Sequence, residues 1–191
     1  MTANNNAQNV SAGKPKASGA VLVALKTTGL KLPKDAVEAP DAAFENGGYV
    51  SEDGLTNKPQ RSSETTKAWG GDTVMAEQTE YNETFEFKFI ETNPTSLKVY
   101  FGDANVTVSS DGKTFSVEHN AKPLDLWAFI FEMIKSGNMI QRTVVPNGKI
   151  AETGDIVYNG KDPVGYQITV QALPDENGRT AVDYHAVAVA G

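Results

Sequence analysis

The sequence predicts a mainly β fold with one short α-helix, and three observations carry that prediction. Met75 to Ile90 alternates side-chain character over an unusual length, as a strand with two different faces does. Short runs rich in Val, Thr, Phe and Tyr recur between Gly, Pro, Asn and Asp turn residues. The one clear helical signature is brief and opens at Asn93-Pro94. A chain of 191 residues fits one domain with a core of its own.

Residues 1–19 are polar and carry a Gly-Lys-Pro-Lys run, so they read as a flexible arm that buries too little apolar surface to offset its ordering entropy. The domain proper is expected over 20–173. Ala20 to Leu25 is a short apolar run, a first strand or a small anchor ended by Gly29 and Pro33. Asp35 to Gly48 fits either a loop or a short helix. From about 47 to 66 neither helical nor strand periodicity is present, which predicts a long polar loop of the kind usually found to be functional or disordered.

In the alternating segment, Tyr81, Phe85, Phe87 and Phe89 share one face, and Gln78, Glu80, Asn82, Thr84, Glu86 and Lys88 share the other. A strand from Glu77 to Ile90 spans about 46 Å at roughly 3.3 Å per residue, which calls for a large supporting sheet. Thr92 or Asn93 caps the helix, Leu97, Tyr100 and Phe101 form its apolar stripe, and Gly102 stops it. Val106 and Val108 face Phe115 and Val117 across Asp111-Gly112, a hairpin.

Leu124 to Ile134 is the most apolar run, with Trp127, Phe129 and Phe131 at alternate positions. Its length also suits a buried helix, but the aromatic alternation favours a strand covered on both faces. Met139 to Val145 follows through a Ser136-Gly137-Asn138 turn, and Asn147-Gly148 and Asn159-Gly160 mark further turns. Gly165 to Leu173 sets Tyr166, Ile168 and Val170 against Gln167, Thr169 and Gln171. Residues 174–191, with Val182, Tyr184, Val187 and Val189, form a weaker strand-like tail or arm.

Chemistry is sparse. With no cysteine there is no disulfide, thiol catalysis or thiolate metal site. His119 and His185 stand apart and read as polar residues at strand ends. Glu77, Glu80 and Glu83 would cluster on a helix, but on a strand Glu80 points away from the other two. Gly70-Gly71-Asp72 lacks the Lys-Ser/Thr of a phosphate loop. No cofactor and no catalytic or metal site is expected. The balance of 17 Lys plus Arg against 24 Asp plus Glu, a net charge of −7, argues against holding nucleic acid through phosphate contacts. The N-terminus lacks the basic start and apolar core of a secretory signal, and no apolar run approaches the ~20 residues of a membrane-spanning helix.

Two runs in the most informative stretch, residues 47–103, bear a family likeness: Gly48-Tyr49-Val50-Ser51-Glu52-Asp53-Gly54 and Lys67-Ala68-Trp69-Gly70-Gly71-Asp72. The block resembles the major tail tube protein of long-tailed bacteriophages, in particular those of actinobacteria, and the likeness extends in order and spacing over most of 20–173. The resemblance implies a β-sandwich or barrel subunit whose strands join a β-barrel shared by a hexameric ring, with the helix packed outside. Rings stack into a tube through long loops and terminal arms, and a virion channel for genome ejection results. Gln78, Glu80, Asn82, Thr84, Glu86 and Lys88 would then face the lumen. Tyr49, Glu52, Asp53, Asn57, Lys58, Arg61 and Trp69 would form the inter-ring loop, and Tyr81, Phe85, Phe87, Phe89, Trp127, Phe129 and Phe131 the core. The implied partners are further copies, a tape measure protein, tail tip and terminator proteins, and double-stranded DNA that transits without specific binding. Assembly in the host cytoplasm follows from the same resemblance. The alternation by itself fits equally a sheet with one face in water or a wall around a wet channel. A monomeric β-sandwich that binds or decorates a virion or cell surface is the competing reading.

Overall fold

The computed structural model describes residues 11–16, 19–135 and 139–187. In chain order the elements are β1 (Lys14–Pro15), β2 (Val21–Leu25), β3 (Glu45–Asn46), β4 (Val50–Lys67), β5 (Thr73–Phe89), α1 (Pro94–Phe101), β6 (Val106–Val108), β7 (Phe115–Val117), β8 (Leu126–Lys135), β9 (Met139–Thr153), β10 (Tyr166–Ala172) and β11 (Val182–Val187). The turn expected at 136–138, the first ten residues of the arm and Val189 lie outside the described residues.

One antiparallel sheet runs β3-β2-β8-β9-β10-β5-β4, with β1 added beside β8 and β11 beside β9, while β6 and β7 pair separately. The sheet folds into a sandwich at β9. Trp127 pairs with Gly148 and Phe129 with Val145, so β9 carries an extra residue at Pro146-Asn147. A bulge bends a strand and tolerates a proline that a regular ladder would not. The first half of β9 pairs with β8 and β11, and the second half with β10. Asn147-Gly148, expected as a turn, is therefore a bend inside one long strand. Gly148 is required there, since a Cβ would stand 2.6 Å from the Phe129 ring and 2.8 Å from Val170.

Between the layers, the phenylalanines of β5 meet those of β8. Phe85 stacks on Phe131 at 5.3 Å between centroids, and Phe87 meets Phe131 edge-on at 5.5 Å and Phe129 at 6.2 Å. Ring pairs of this kind contribute about 0.5–1.5 kcal/mol beyond their buried area. Phe85, Phe87, Phe89, Trp127, Phe129 and Phe131 are all buried, together with Val145, Ile168 and Val170. Tyr81 is not part of this core. It shares the phenylalanine face of β5 but lies beyond the last residue of β10, where no second layer covers it.

The helix closes one end of the sandwich. Asn93 is its cap: the Asn93 side chain accepts from the Ser96 amide at 2.8 Å, and the Ser96 hydroxyl accepts from the Asn93 amide at 3.3 Å. That reciprocal pair satisfies two amides a helix start leaves open. Leu97, Val99 and Tyr100 face inward, and the Phe101 ring lies 4.4 Å from the His119 imidazole. The hairpin of β6 and β7 has Val106 opposite Val117 and Val108 opposite Phe115. Residues 35–48 hold no helix; Asp35 caps a turn by accepting from the Val37 and Glu38 amides. His185 lies within β11, opposite Gln141, and not at a strand end.

Glu132 and Arg142 form an ion pair across β8 and β9 with both side chains buried. Arg142 Nη1 also donates to the carbonyls of Asp35, at 3.0 Å, and Glu38. The second Glu132 oxygen accepts from Lys16 Nζ at 2.7 Å, which ties the segment around β1 to the sheet.

Candidate functional site

The stretch expected as a loop over 47–66 is mostly strand. β4 runs 18 residues against the 17 of β5, and together they make a hairpin of the two longest strands among the described residues. Only Glu83 to Phe89 of β5 have β10 as a second partner. The rest of the hairpin pairs with itself, so the long strand is not backed by a large sheet as its length suggested. From Thr73 to Asn82 it extends on the order of 30 Å at roughly 3.3 Å per residue. Pro59 is compatible with this because β4 is an edge strand whose outward side needs no amide. At its root the ladder jumps from Val50–Phe89 to Leu55–Phe87, leaving residues 51–54 bulged against Lys88.

At the tip, Ala68 donates to the Asp72 carbonyl at 2.8 Å and Gly71 to the Ala68 carbonyl at 2.9 Å. Gly71 has φ of 94°, a conformation that favours glycine. Trp69 sits on this turn fully exposed, and Val74 and Met75 beside it are exposed as well.

A second irregularity changes which residues share a face. Ser62 pairs with Glu80 but Ser63 pairs with Gln78, so Thr79 is left over. Past a one-residue bulge the alternation inverts relative to the body. Gln78 therefore does not join the face of Asn82, Thr84, Glu86 and Lys88. It accepts from Arg61 Nη1 at 3.0 Å, and Arg61 lies over the Tyr81 ring at 4.3 Å. Glu77 takes its place, directly opposite Glu64 and on the same side as Glu80.

On the body, that polar face is a shallow trough of about 510 Å³ across β4, β5, β10 and β9. Lys88 pairs with Gln167, Glu86 with Thr169 and Thr84 with Gln171, while Thr169 meets Glu152 on the other side. Glu86 is the hub: it forms an ion pair with Lys58 and accepts from Gln167 Nε2 at 2.6 Å. The Lys58 ammonium, as hydrogen-bond donor and as charge, and then Gln167 hold the Glu86 carboxyl below its ordinary range. Gln171 Nε2 donates to Asn82 Oδ1 at 3.3 Å. Lys58, Lys88 and Lys149 share this face of the body with Glu86 and Glu152, whereas the acidic charge collects on the hairpin at Glu64, Glu77 and Glu80.

The structure separates the residues grouped as one loop. Tyr49, Glu52 and Asp53 lie at the hairpin root, Lys58 in the trough, Asn57 and Arg61 on the opposite face, and Trp69 at the tip. Glu83, weighed in the sequence only as one of three spaced carboxylates, falls in phase with the phenylalanines. It is buried and accepts from Asn57 Nδ2 and the Tyr81 hydroxyl, each at 3.0 Å, and from the Thr180 hydroxyl. This carboxylate fastens the hairpin root to the segment leading into β11. Among the described residues no cluster of His, Cys, Asp or Glu could hold a metal ion, and no helix is long and apolar enough to cross a membrane.

No curated protein matches the chain in sequence. Among solved structures, the cryo-EM structure of the anti-feeding prophage cap, a tube-terminating cap, is 8% identical and covers 94% of this chain and 97% of its own, with a TM-score of 0.41. A family model described as phage tail tube protein matches residues 1–185. The chain thus belongs to the phage tail tube protein family, as a structural component of a virion tail and not an enzyme.

Proposed function

We propose that this subunit polymerises as stacked hexameric rings, with the polar trough and the acidic face of the hairpin turned to a channel through which the genome passes. The observation that carries this reading is the hairpin: beyond Glu83, no layer from the described residues covers either face. An isolated two-stranded hairpin is marginal in water, so an 18-residue strand of this kind calls for a partner. The sheet also ends in unpaired edges at β4 and β3, which ring closure would cover. A wall mostly of amides and hydroxyls, with Lys58 paired to Glu86 and surplus carboxylates beyond it, offers phosphates few cations to hold. The hairpin then takes the stacking role expected of residues 47–66, and Phe85, Phe87 and Phe89 face the outer layer. The tape measure, tip and terminator proteins belong to this reading as partners implied by resemblance, and assembly would occur in the host cytoplasm.

Electron microscopy tests it with two chains: the intact one, and one in which residues 62–80 are replaced by an Asn-Gly turn that keeps the body ladder. Tubes from the first and none from the second are expected. A strictly monomeric intact chain at high concentration would favour the surface-decoration module instead, and normal tubes from the shortened chain would remove the stacking role.

A further inference from the structure

The sandwich is closed on one side by β9 and open on the other, where the edge of β4 and the edge formed by β1, β2 and β8 stand apart. A groove of about 770 Å³ runs between them, with Val21, Val50, Leu55 and Met133 on its walls. Its size is within the range that accepts a group as large as an indole. Glu52 and Lys135 also line it, one on each side.

The tip of the hairpin has complementary features. Trp69 is fully exposed, Gly70 and Gly71 leave the turn slim, and Lys67 and Asp72 flank it with one charge of each sign. Among the described residues neither surface is satisfied: the Trp69 side chain is fully exposed, and nothing fills the groove. A tip and a groove on different parts of one chain can make a heterologous contact, which propagates head to tail. We infer that the groove is the socket for the Trp69 tip of a second copy, with Lys67 toward Glu52 and Asp72 toward Lys135. This rests on the hairpin being the arm between copies, and it adds where the arm lands.

The chain has two tryptophans and no cysteine, which makes the test direct. Trp127 is already buried, so any change in acrylamide quenching on assembly reports Trp69. Free subunits should show one accessible and one protected tryptophan, and intact tubes two protected ones. In a second measurement, chains carrying Trp69→Cys are co-assembled with chains carrying Tyr49→Cys, at the groove, or Tyr158→Cys, exposed elsewhere. Oxidation should yield a cross-linked dimer with the first partner and none with the second. Tubes in which Trp69 remains quenchable, or cross-linking no better at the groove than at Tyr158, would overturn the socket while leaving the arm in place. Tubes formed without residues 62–80 would overturn both.

Discussion

Glu132 and Arg142 face each other across β8 and β9, each about 2% exposed, and Arg142 also holds the carbonyls of Asp35 and Glu38. Breaking a buried pair from one side leaves the other charge under-compensated, here Glu132 with only the half-exposed Lys16 at 2.7 Å. Arg142→Met should therefore cost about 3–5 kcal/mol in urea unfolding, and Arg142→Met with Glu132→Leu should cost less than the single change. Equal losses would mean that the pair is not coupled.

The same carboxylate makes the arm sensitive to acid. Burial pushes the Glu132 carboxyl up, but the Lys16 and Arg142 hydrogen bonds and charges outweigh it and leave it below its ordinary value of 4.5. A group with a lowered folded pKa stabilises fully above the unfolded value, and the contribution fades as pH falls through the folded one. The protection of the Lys16 amide, whose N–H reaches the Glu132 carbonyl at 3.3 Å, measured as its exchange rate relative to the intrinsic rate at each pH, should hold constant above pH 4.5 and fall below it. With Lys16→Met, protection there should be low throughout.

Phe87 and Tyr81 lie on one face of β5 and should behave differently. Phe87, 3% exposed among three aromatic neighbours, should cost about 3–5 kcal/mol as Phe87→Ala. Tyr81→Ala in the free subunit should cost less, about 1–2 kcal/mol, since it loses cation stacking of about 0.5–1 kcal/mol and one hydrogen bond to Glu83, a carboxylate that keeps Asn57 and Thr180. Chemical denaturation of monomer measures both.

Gly148 joins the two layers. Gly148→Ala forces Phe129 or Val170 to give way and should destabilise by roughly 1–3 kcal/mol, although alanine favours neither turn nor bulge less than many residues do. An unchanged midpoint would mean that the β9 bend relaxes freely.

These contrasts mark what the sequence could express. β5, β8 and β10 were readable because burial imposes period-two patterning on Phe85 to Phe89, Trp127 to Phe131 and Tyr166 to Val170. β4 was not, since a strand exposed on both faces is held by its backbone ladder and leaves Asn57 to Thr66 free of any period. Gln78 was misplaced because one unpaired residue, Thr79, inverts the faces and no side chain announces it. Asn147-Gly148 has the composition of a turn, and only the register against Trp127 and Phe129 makes it a bend. Arg142 carries no signal in the sequence because its partners come from Glu132 and from carbonyls at 35 and 38.

Charge is uneven along the polar face. Glu64 stands directly opposite Glu77, with Glu80 near, and like charges across a strand pair repel. Glu77→Lys should ease that repulsion, slowing amide exchange along the hairpin in the free subunit. If this face lines the channel, the change should also make the wall adhesive: neutralising phosphates releases counterions and gives binding that weakens steeply with salt. Tubes of Glu77→Lys should retain double-stranded DNA at low ionic strength and release it as salt rises, while unaltered tubes retain none. Gln78→Lys, on the opposite face beside Arg61, should leave DNA retention unchanged. Retention by the Gln78 variant and none by the Glu77 variant would mean that the hairpin presents its Tyr81 face to the channel.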